Sequence, residues 1–188
     1  MSTTTQPTTP PAGLTPGTWL VETSHSAATF TVRHAGISRA RGSLAIVGGV
    51  ITVGDDLAST SVTATLDAAS VDTKDANRDG HLKSADFFDV ENFPTWTFVS
   101  TSVAPRGDDH VITGDLTIHG VTRQVELATE FNGAATDPFG ANRVGFSATS
   151  EISRKAFGLT WNAALETGGV LVSDTVKIAL EVEGVAQA

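Results

Sequence analysis

The fold is decided by a run near the C-terminus, VKIALEVE, residues 176–183. Every second side chain in this run is a branched aliphatic one, and Lys177, Glu181 and Glu183 lie between them. Because successive side chains of a strand point to opposite faces, this alternation predicts a strand with one buried face and one wet face. The same period recurs in AATFTVRH (27–34), in SVTATLDA (61–68), and around residues 116–118, 125–127 and 144–148. Strands of this type indicate an antiparallel β fold.

Short turn signals separate the alternating runs. The stretches VGG, VGDD, PRGDD, HG, NG and DPFG supply glycine, asparagine and aspartate, which tolerate a positive φ. About eight strands fit between them, and an antiparallel chain of this length forms a sandwich or a closed barrel, since closure removes exposed strand edges. We therefore predict an all-β fold built as an eight-stranded antiparallel β-barrel.

Two segments break the strand pattern and predict one or two short helices at the mouth or floor of the barrel. In KDANRDGHLKSADFFDV (74–90), Ser84 is a candidate N-cap for a helix over ADFFDV. NAALETGG (162–169) resembles one or two helical turns closed by its two glycines. Both segments are too short to form the core.

Composition limits the classes of partner. The chain has 188 residues, a formal charge of -9 and no cysteine, so we expect one domain without disulfides or thiolate sites. Its acidic surface repels phosphates, which argues against nucleic acid as a partner. The longest apolar runs are too short for a membrane-spanning helix, so we expect no stable membrane insertion.

The N-terminal stretch MSTTTQPTTPPAGLTP, residues 1–16, is rich in threonine and proline. Such a composition offers little apolar surface to offset the entropy of ordering, so we predict a disordered tail at 1–16 and a β-barrel domain at 17–186. The chain starts with neither the basic residues nor the apolar stretch of a secretory signal, which predicts a cytoplasmic location.

The stretch DANRDGHLKSAD, residues 75–86, nearly spells the calcium loop of an EF-hand. What precedes it is a strand pattern rather than an entering helix, its twelfth position is Asp86 rather than glutamate, and Arg78 and Lys83 lie inside it. The five histidines show neither H-x3-H nor H-E-x-x-H spacing. We therefore predict no metal site. His119 and His110 are interpreted as turn residues, His119 with left-handed backbone geometry.

The aromatic residues cluster around the irregular segments. Nine phenylalanines and three tryptophans occur without any tyrosine. Apolar rings near the helices that close a barrel can either plug it or line a pocket, and an eight-stranded barrel is wide enough for one small ligand. A plugged barrel filled by Phe87 and Phe88 thus remains an alternative to a ligand tunnel.

Four stretches together resemble the YceI-like family of polyisoprenoid-binding proteins. They are GTWLVETSHSAATFTVRHAGISRARG (17–42), SVDTKDANRDGHLKSADFFDVENFPTWTF (70–98), GDLTIHGVTRQV (114–125) and RKAFGLTWNAALETGGVLVSDTVKIALEVEG (154–184). The resemblance implies a lipocalin-like barrel that encloses a polyisoprenoid or quinone-like lipid, often in a homodimer, and that transports or stores it without an enzymatic reaction. It implies no other cofactor. Many family members are secreted to the periplasm, in contrast with the cytoplasmic location expected from this N-terminus.

The resemblance also implies a set of ligand-binding residues. Aromatic and aliphatic side chains would line the tunnel, and polar side chains near residues 78–81 and at His34 would meet the lipid head group. The full set is Phe30, Val32, His34, Arg78, Asp79, His81, Leu82, Phe87, Phe88, Phe93, Trp96, Phe98, Phe146, Phe157 and Trp161.

An enzyme remains the alternative function. His81 or His34 could act as a base with Asp79 as the orienting carboxylate, which would suit a hydrolase or isomerase that acts on a lipophilic substrate. No G-x-S-x-G elbow, thiol nucleophile or phosphate-binding loop accompanies them in the sequence.

Overall fold

The structure, a computed structural model, describes residues 8–188. Within this range an antiparallel sheet contains nine strands, and one α-helix, α1 (Ala76–Lys83), follows the fourth of them. The strands are β1 (Gly17–Val21), β2 (Ala27–His34), β3 (Ser38–Val53), β4 (Ser61–Asp72), β5 (Thr95–Arg106), β6 (Asp109–Ile118), β7 (Val121–Thr136), β8 (Asn142–Ser153) and β9 (Val172–Ala186).

The strands close into a barrel with eight positions. β3 pairs with β4, and each later strand pairs with the next one up to β9. β1 and β2 both pair with β3 on one side and with β9 on the other, so they share one position and meet end to end at a 3-10 turn, Thr23–His25. The prediction of an eight-stranded antiparallel barrel with a short helix is therefore confirmed.

The two ends of the barrel differ in what covers them. One end, called the helix end below, carries α1 with the rest of residues 73–94, the β6–β7 turn, and the long connection 154–171. The other end, called the strap end, carries the β3–β4, β5–β6 and β7–β8 connections and residues 8–16, which we call the strap.

Helix α1 begins at Asp75, whose side chain accepts a hydrogen bond from the backbone N–H of Arg78 at 2.9 Å. It ends at Ser84, which is therefore a C-cap, and the prediction of an N-cap there was wrong. The reason is that DANR offers an earlier cap, and the backbone of residues 85–88 then forms turns.

The segment 162–169 forms a turn rather than the predicted helical turns. Gly168 and Gly169 both have a positive φ, near 90°. Leu165 N–H donates to the Gly169 carbonyl, and Ala164 forms an isolated bridge with Val170. Two consecutive residues in the left-handed region reverse the chain at a point where a helix would continue it.

The β6–β7 turn agrees with the prediction. His119 and Gly120 connect β6 to β7 and have φ values of 55° and 71°. Such a pair matches a two-residue hairpin turn whose twist suits the flanking strands. The prediction of left-handed geometry at His119 is confirmed.

The strap differs from the disordered tail expected from its composition. Residues 1–7 of that predicted tail lie outside the described residues, but residues 8–16 lie against the barrel. Leu14 is 8% exposed and packs in a cluster with Trp19, Ile51 and Val144. The Leu57 N–H donates to the Thr8 carbonyl at 2.7 Å. One buried leucine and a few backbone bonds therefore hold a segment that is otherwise made of threonine, proline, alanine and glycine.

No α-helix within residues 8–188 has both the length and the apolar character that crossing a membrane requires.

Candidate ligand-binding cavity

The inner wall of the barrel follows from the alternation seen in the sequence. On β6 the inward residues are His110, Ile112, Leu116 and Ile118, and on β9 they are Ile178, Leu180 and Val182. Neighbouring strands repeat the pattern, so that one face of every strand contributes to the interior.

This wall encloses a narrow cavity with a volume of about 180 Å³. Its lining extends on β6 from His110 to Ile118, about 26 Å along the strand at 3.3 Å per residue. Almost all of the lining atoms are carbon, and the polar side chains among them are Thr29, Thr60, His110, Thr129 and Ser150. An elongated apolar guest suits this shape better than a compact polar one.

Two inward glycines make room for aromatic rings in the wall. The ring of Phe30 lies over Gly42 on β3, and the ring of Phe98 lies over Gly114 on β6, so close that a Cβ at either glycine would overlap the ring. The rings therefore lie flat against the sheet instead of crossing the interior, and this leaves the cavity open between them.

The structure divides the fifteen predicted ligand-binding residues into two groups. Phe30, Trp96, Phe98 and Phe146 line the cavity. The other members lie at or near the helix end, outside the lining: Val32, His34, Arg78, Asp79, His81, Leu82, Phe87, Phe88, Phe93, Phe157 and Trp161. Contact between any of the fifteen and a ligand stays a prediction.

Most aromatic members of the second group fill the helix end. Phe87, Phe88 and Phe157 are buried in one apolar cluster, with Phe157 only 1% exposed, and Trp161 packs against it. The plug that the sequence left as an alternative is therefore present at this end. These rings do not fill the interior, because the cavity remains open and neither Phe87 nor Phe88 is part of its lining.

The polar members near α1 hold the helix in place. Asp79 accepts hydrogen bonds from the Thr73 N–H at 2.9 Å and from the Thr73 hydroxyl at 2.5 Å. Arg78 donates to the Thr73 hydroxyl and carbonyl, each at 2.8 Å. His81 pairs with Asp86 at 2.9 Å and packs edge-on against Phe87 and Trp161. Asp79 is thus bonded to Thr73 and not to His81, so the His81–Asp79 pair of the enzyme hypothesis does not form in this arrangement.

A buried cation fastens the long connection at the helix end. Arg154 is 4% exposed and donates to the carbonyls of Leu159, Trp161, Val172 and Ser173 at 2.7 to 3.1 Å. Burial lowers the pKa of Arg154, and the nearby Asp174 opposes that shift. The guanidinium thus provides donors for four carbonyls, and the Val172 carbonyl also accepts from the Asn162 side-chain amide at 2.7 Å.

Sequence reasoning missed the polar part of the lining. His110 was interpreted as a turn residue because it follows GDD, yet it occupies an inward position on β6. Among the lining residues that the structure describes, it is the only ionisable one. The signal was available, since extending the alternation of Leu116 and Ile118 backwards through Ile112 reaches His110.

Two other parts of the lining were also missed. Phe131 continues the inward face of β7 and packs against Phe146, with the ring centroids 5.3 Å apart and the rings tilted by 48°. Pro10, Pro11 and Leu14 of the strap cover the same end of the cavity. Alternation through Val125 and Leu127 could have identified Phe131, but no periodic pattern exists in the strap.

Glu22, His25 and Glu183 bring three side chains with metal-ligating atoms to within 4.8 Å of one another. Glu22 accepts from Ser24 and His25, and Arg143 forms an ion pair with Glu183. The hydrogen bond from Ser24, followed by smaller effects of His25, lowers the pKa of Glu22 to about 2. These interactions explain the cluster: it links the β1–β2 connection to β9, and it lies outside the cavity lining.

Comparison with known proteins places the chain in a family. A model of the YceI-like domain matches residues 19–184. Protein YceI of Escherichia coli O17:K52:H18 is 40% identical over 167 residues, which cover 88% of this chain and 84% of that protein. A UPF0312 protein of Staphylococcus aureus (strain USA300) is 36% identical over 166 residues, covering 85% and 92% of the two chains.

Solved structures show the same architecture. Burkholderia cenocepacia BcnA is 25% identical with a TM-score of 0.69, over 87% of this chain and 98% of that one. The Campylobacter jejuni YCEI protein is 28% identical with a TM-score of 0.67, over 83% and 90%. A Saccharophagus degradans domain described as polyisoprenoid binding shares the fold at 14% identity, with a TM-score of 0.64 over 90% and 98%. With its family match and its barrel, this chain belongs to the YceI-like family.

Proposed function

We propose that the protein binds a polyisoprenoid or a similar long-chain lipid inside the barrel, and that it transports or stores this lipid without a chemical reaction. The observation that supports the proposal is the elongated cavity whose lining is almost entirely carbon. A polyisoprenoid binding domain from Saccharophagus degradans has the same fold, which is consistent with such a ligand.

The energetics of apolar burial make this plausible without any catalytic group. Removing apolar surface from water stabilises a complex by roughly 25 cal/mol per Å², so a chain that buries about 400 Å² gains about 10 kcal/mol before the cost of association is subtracted. A few hydrogen bonds then suffice to orient the ligand.

The hydrolase or isomerase alternative has less support. His81 is bonded to Asp86, Asp79 is bonded to Thr73, and all three lie outside the cavity lining. His34 lies at the end of β2 with an exposed side chain. Neither histidine faces a ligand in the interior, where a base would have to act.

The test is native mass spectrometry of the purified protein, with organic extraction and lipid analysis. We expect a long-chain lipid to be retained, or to be taken up when supplied. Ala64→Phe fills the cavity, because Ala64 lines it, and should abolish uptake. Thr63→Phe is the matched control, since Thr63 is exposed and points to the opposite face of the same strand. A wild-type protein that never carries or accepts any such lipid would refute the proposal.

We extend the proposal to the homodimer and to the cytoplasmic location expected from the sequence. Sedimentation equilibrium of the purified protein tests the first, with a mass of one chain counting against it. Cell fractionation tests the second, and recovery outside the cytoplasm would contradict it.

A further inference from the structure

Within residues 8–188, the cavity lining holds one ionisable side chain, that of His110 at the strap end. The indole Nε1 of Trp96, elsewhere in the lining, is a second polar atom and is buried without a hydrogen-bond partner in the described residues. His110 on β6 is directly opposite Thr129 on β7 in the strand register, and both side chains line the cavity. Thr129 is 6% exposed. Ile112, Leu127 and Phe131, which line the cavity on the same two strands, are apolar, so the two side chains place paired polar groups in a largely apolar wall.

This pair has unused hydrogen-bonding capacity. Within residues 8–188, no side-chain hydrogen bond or ion pair engages the His110 ring nitrogens. The Thr129 hydroxyl donates to the Leu127 carbonyl at 3.1 Å, which leaves its lone pairs free to accept. A polar side chain without a partner in an apolar cavity is unfavourable unless a ligand completes its hydrogen bonds.

The protonation state of His110 sets what it can bind. Burial lowers the pKa of His110, and Asp109 opposes the shift only in part. The imidazole is therefore neutral at pH 7, with one nitrogen that donates and one that accepts. A hydroxyl or carbonyl group can use both kinds of atom.

The cavity offers no countercharge for a phosphate. Among its lining residues within 8–188 there is neither lysine nor arginine. Arg106, at the same end of the barrel, has its guanidinium paired with Glu126 at 3.1 Å, and neither residue lines the cavity. Burying a doubly charged head group beside a neutral histidine would leave its charge uncompensated, which is strongly unfavourable.

We propose that His110 and Thr129 form the head-group site of the cavity and select lipids that end in a neutral hydroxyl or carbonyl group over lipids that end in phosphate. This inference rests on the proposed lipid-binding function and adds its specificity. The lipid tail would then extend from the strap end towards Trp96 and Phe98, and the strap would cover the head group.

The test compares three isoprenoids of equal chain length: an alcohol, its phosphate ester and a hydrocarbon without a head group. Their affinities are measured by competition against a fluorescent apolar dye and checked by native mass spectrometry. We expect the wild type to bind the alcohol about tenfold more tightly than the hydrocarbon, as one or two hydrogen bonds would provide, and to bind the phosphate most weakly.

Two variants assign the effect to the pair. His110→Leu should reduce the affinity for the alcohol to that for the hydrocarbon and leave the hydrocarbon unchanged. Thr129→Val, which is almost isosteric, should reduce the alcohol preference by a smaller factor and covers the case in which the first variant does not fold. His25→Leu makes the same replacement at a histidine whose side chain is 62% exposed, outside the cavity, and should change none of the three affinities.

The outcomes separate the two proposals. If the wild type binds the phosphate most tightly, or binds alcohol and hydrocarbon equally, the head-group site is refuted while the lipid-binding function stands. The same conclusion follows if both variants keep the full preference for the alcohol. If none of the three isoprenoids binds, the lipid-binding function fails and this inference fails with it.

Discussion

At the helix end, Phe87, Phe88 and Phe157 are buried in one cluster, and Arg154 ties the overlying chain to four carbonyls. At the strap end, the covering strap contributes Leu14 as its one buried side chain. The first end is covered by a large buried aromatic cluster, whereas the strap at the second end adds one leucine to a smaller cluster with Trp19, Ile51 and Val144. This difference favours the helix end as the main source of stability. Under the proposed lipid-binding function, we expect a ligand to enter and leave at the strap end.

The largest effect should come from the helix end. Phe157→Ala removes a ring that is 1% exposed, and we expect the free energy of unfolding to fall by about 3 to 5 kcal/mol, because the variant loses apolar burial and leaves a cavity. Urea unfolding measures it. Phe139→Ala, at the strap end, is the control, since Phe139 is 95% exposed and its loss should change stability by less than about 0.5 kcal/mol. Equal losses in both variants would contradict the contrast between the ends.

A smaller loss is expected from the buried cation. Arg154→Lys keeps the charge but has fewer donors and no planar fork, so some of the four carbonyls lose their partner. We expect unfolding to become easier by about 2 to 3 kcal/mol, as for lost hydrogen bonds to a charged group. The matched control is Arg123→Lys, whose exposed side chain donates, among residues 8–188, to the Thr122 carbonyl alone. If both variants lower the melting temperature equally, the four hydrogen bonds of Arg154 add no stability beyond that of an exposed arginine.

The strap should affect exchange more than stability. Leu14→Asp places a carboxylate where an 8% exposed leucine packs, so the strap should leave the barrel while the strands stay folded. Since burying a leucine is worth about 1.5 to 3 kcal/mol, the lipid should dissociate about tenfold faster or more. Stopped-flow transfer of a fluorescent lipid to vesicles measures this rate. Thr15→Asp adds the same charge at an exposed neighbour and should leave the rate unchanged, whereas slow release from the Leu14 variant would locate the exit elsewhere.

The smallest effect is a pH dependence at the strap end. The pKa of His110 lies below its ordinary value of 6.5 in the folded state, so the unfolded chain binds more protons as pH falls below about 6.5. Stability should therefore decline on acidification through this range. Its strand neighbours Pro105 and Thr129 do not titrate, and Asp109 is the charged group that opposes the shift. Urea midpoints at pH 7.5 and 5.5 should differ less in His110→Leu than in the wild type.

The pH range of the decline distinguishes the effect of His110 on stability from that of acidic side chains such as Glu22. The pKa of Glu22 is lowered to about 2 from 4.5 by the hydrogen bond from Ser24, so the stability that Glu22 contributes is present above pH 4.5 and is lost towards pH 2. A wild-type decline confined to pH values below 4.5 would therefore point to the acids and count against His110.

The sequence predicts the barrel well because its strands are long and each has one apolar face. Alternation in a run such as 176–183 and the turn at His119 depend on local geometry, which a sequence records directly. Whether an aromatic residue packs at an end of the barrel or lines the cavity depends instead on which connection covers that end. Phe87 and Phe98 are equally apolar in sequence, yet one fills the helix end and the other lines the cavity.

The contacts of the polar residues are even harder to predict from the sequence. The prediction that Arg78 and Asp79 contact a head group stays a prediction. The structure adds that both are bonded to Thr73, a contact that nothing local in the sequence indicates. The inward position of His110 was missed because the residue follows GDD, which was interpreted as a turn, whereas β6 already begins at Asp109. The packing of the strap was not predicted, because one leucine among threonines and prolines forms no periodic pattern.

The shared barrel position of β1 and β2 has a consequence for how the chain folds. Both strands hydrogen-bond to β9, and the Glu183 N–H donates to the Ser26 hydroxyl across 157 residues of sequence. The seam of the barrel thus joins the first strands of the chain to the last. Contacts of such long range form slowly, and a growing chain cannot make them until its final strand has left the ribosome. Before that moment the strands cannot close into the barrel, and we expect their apolar faces to stay accessible to water.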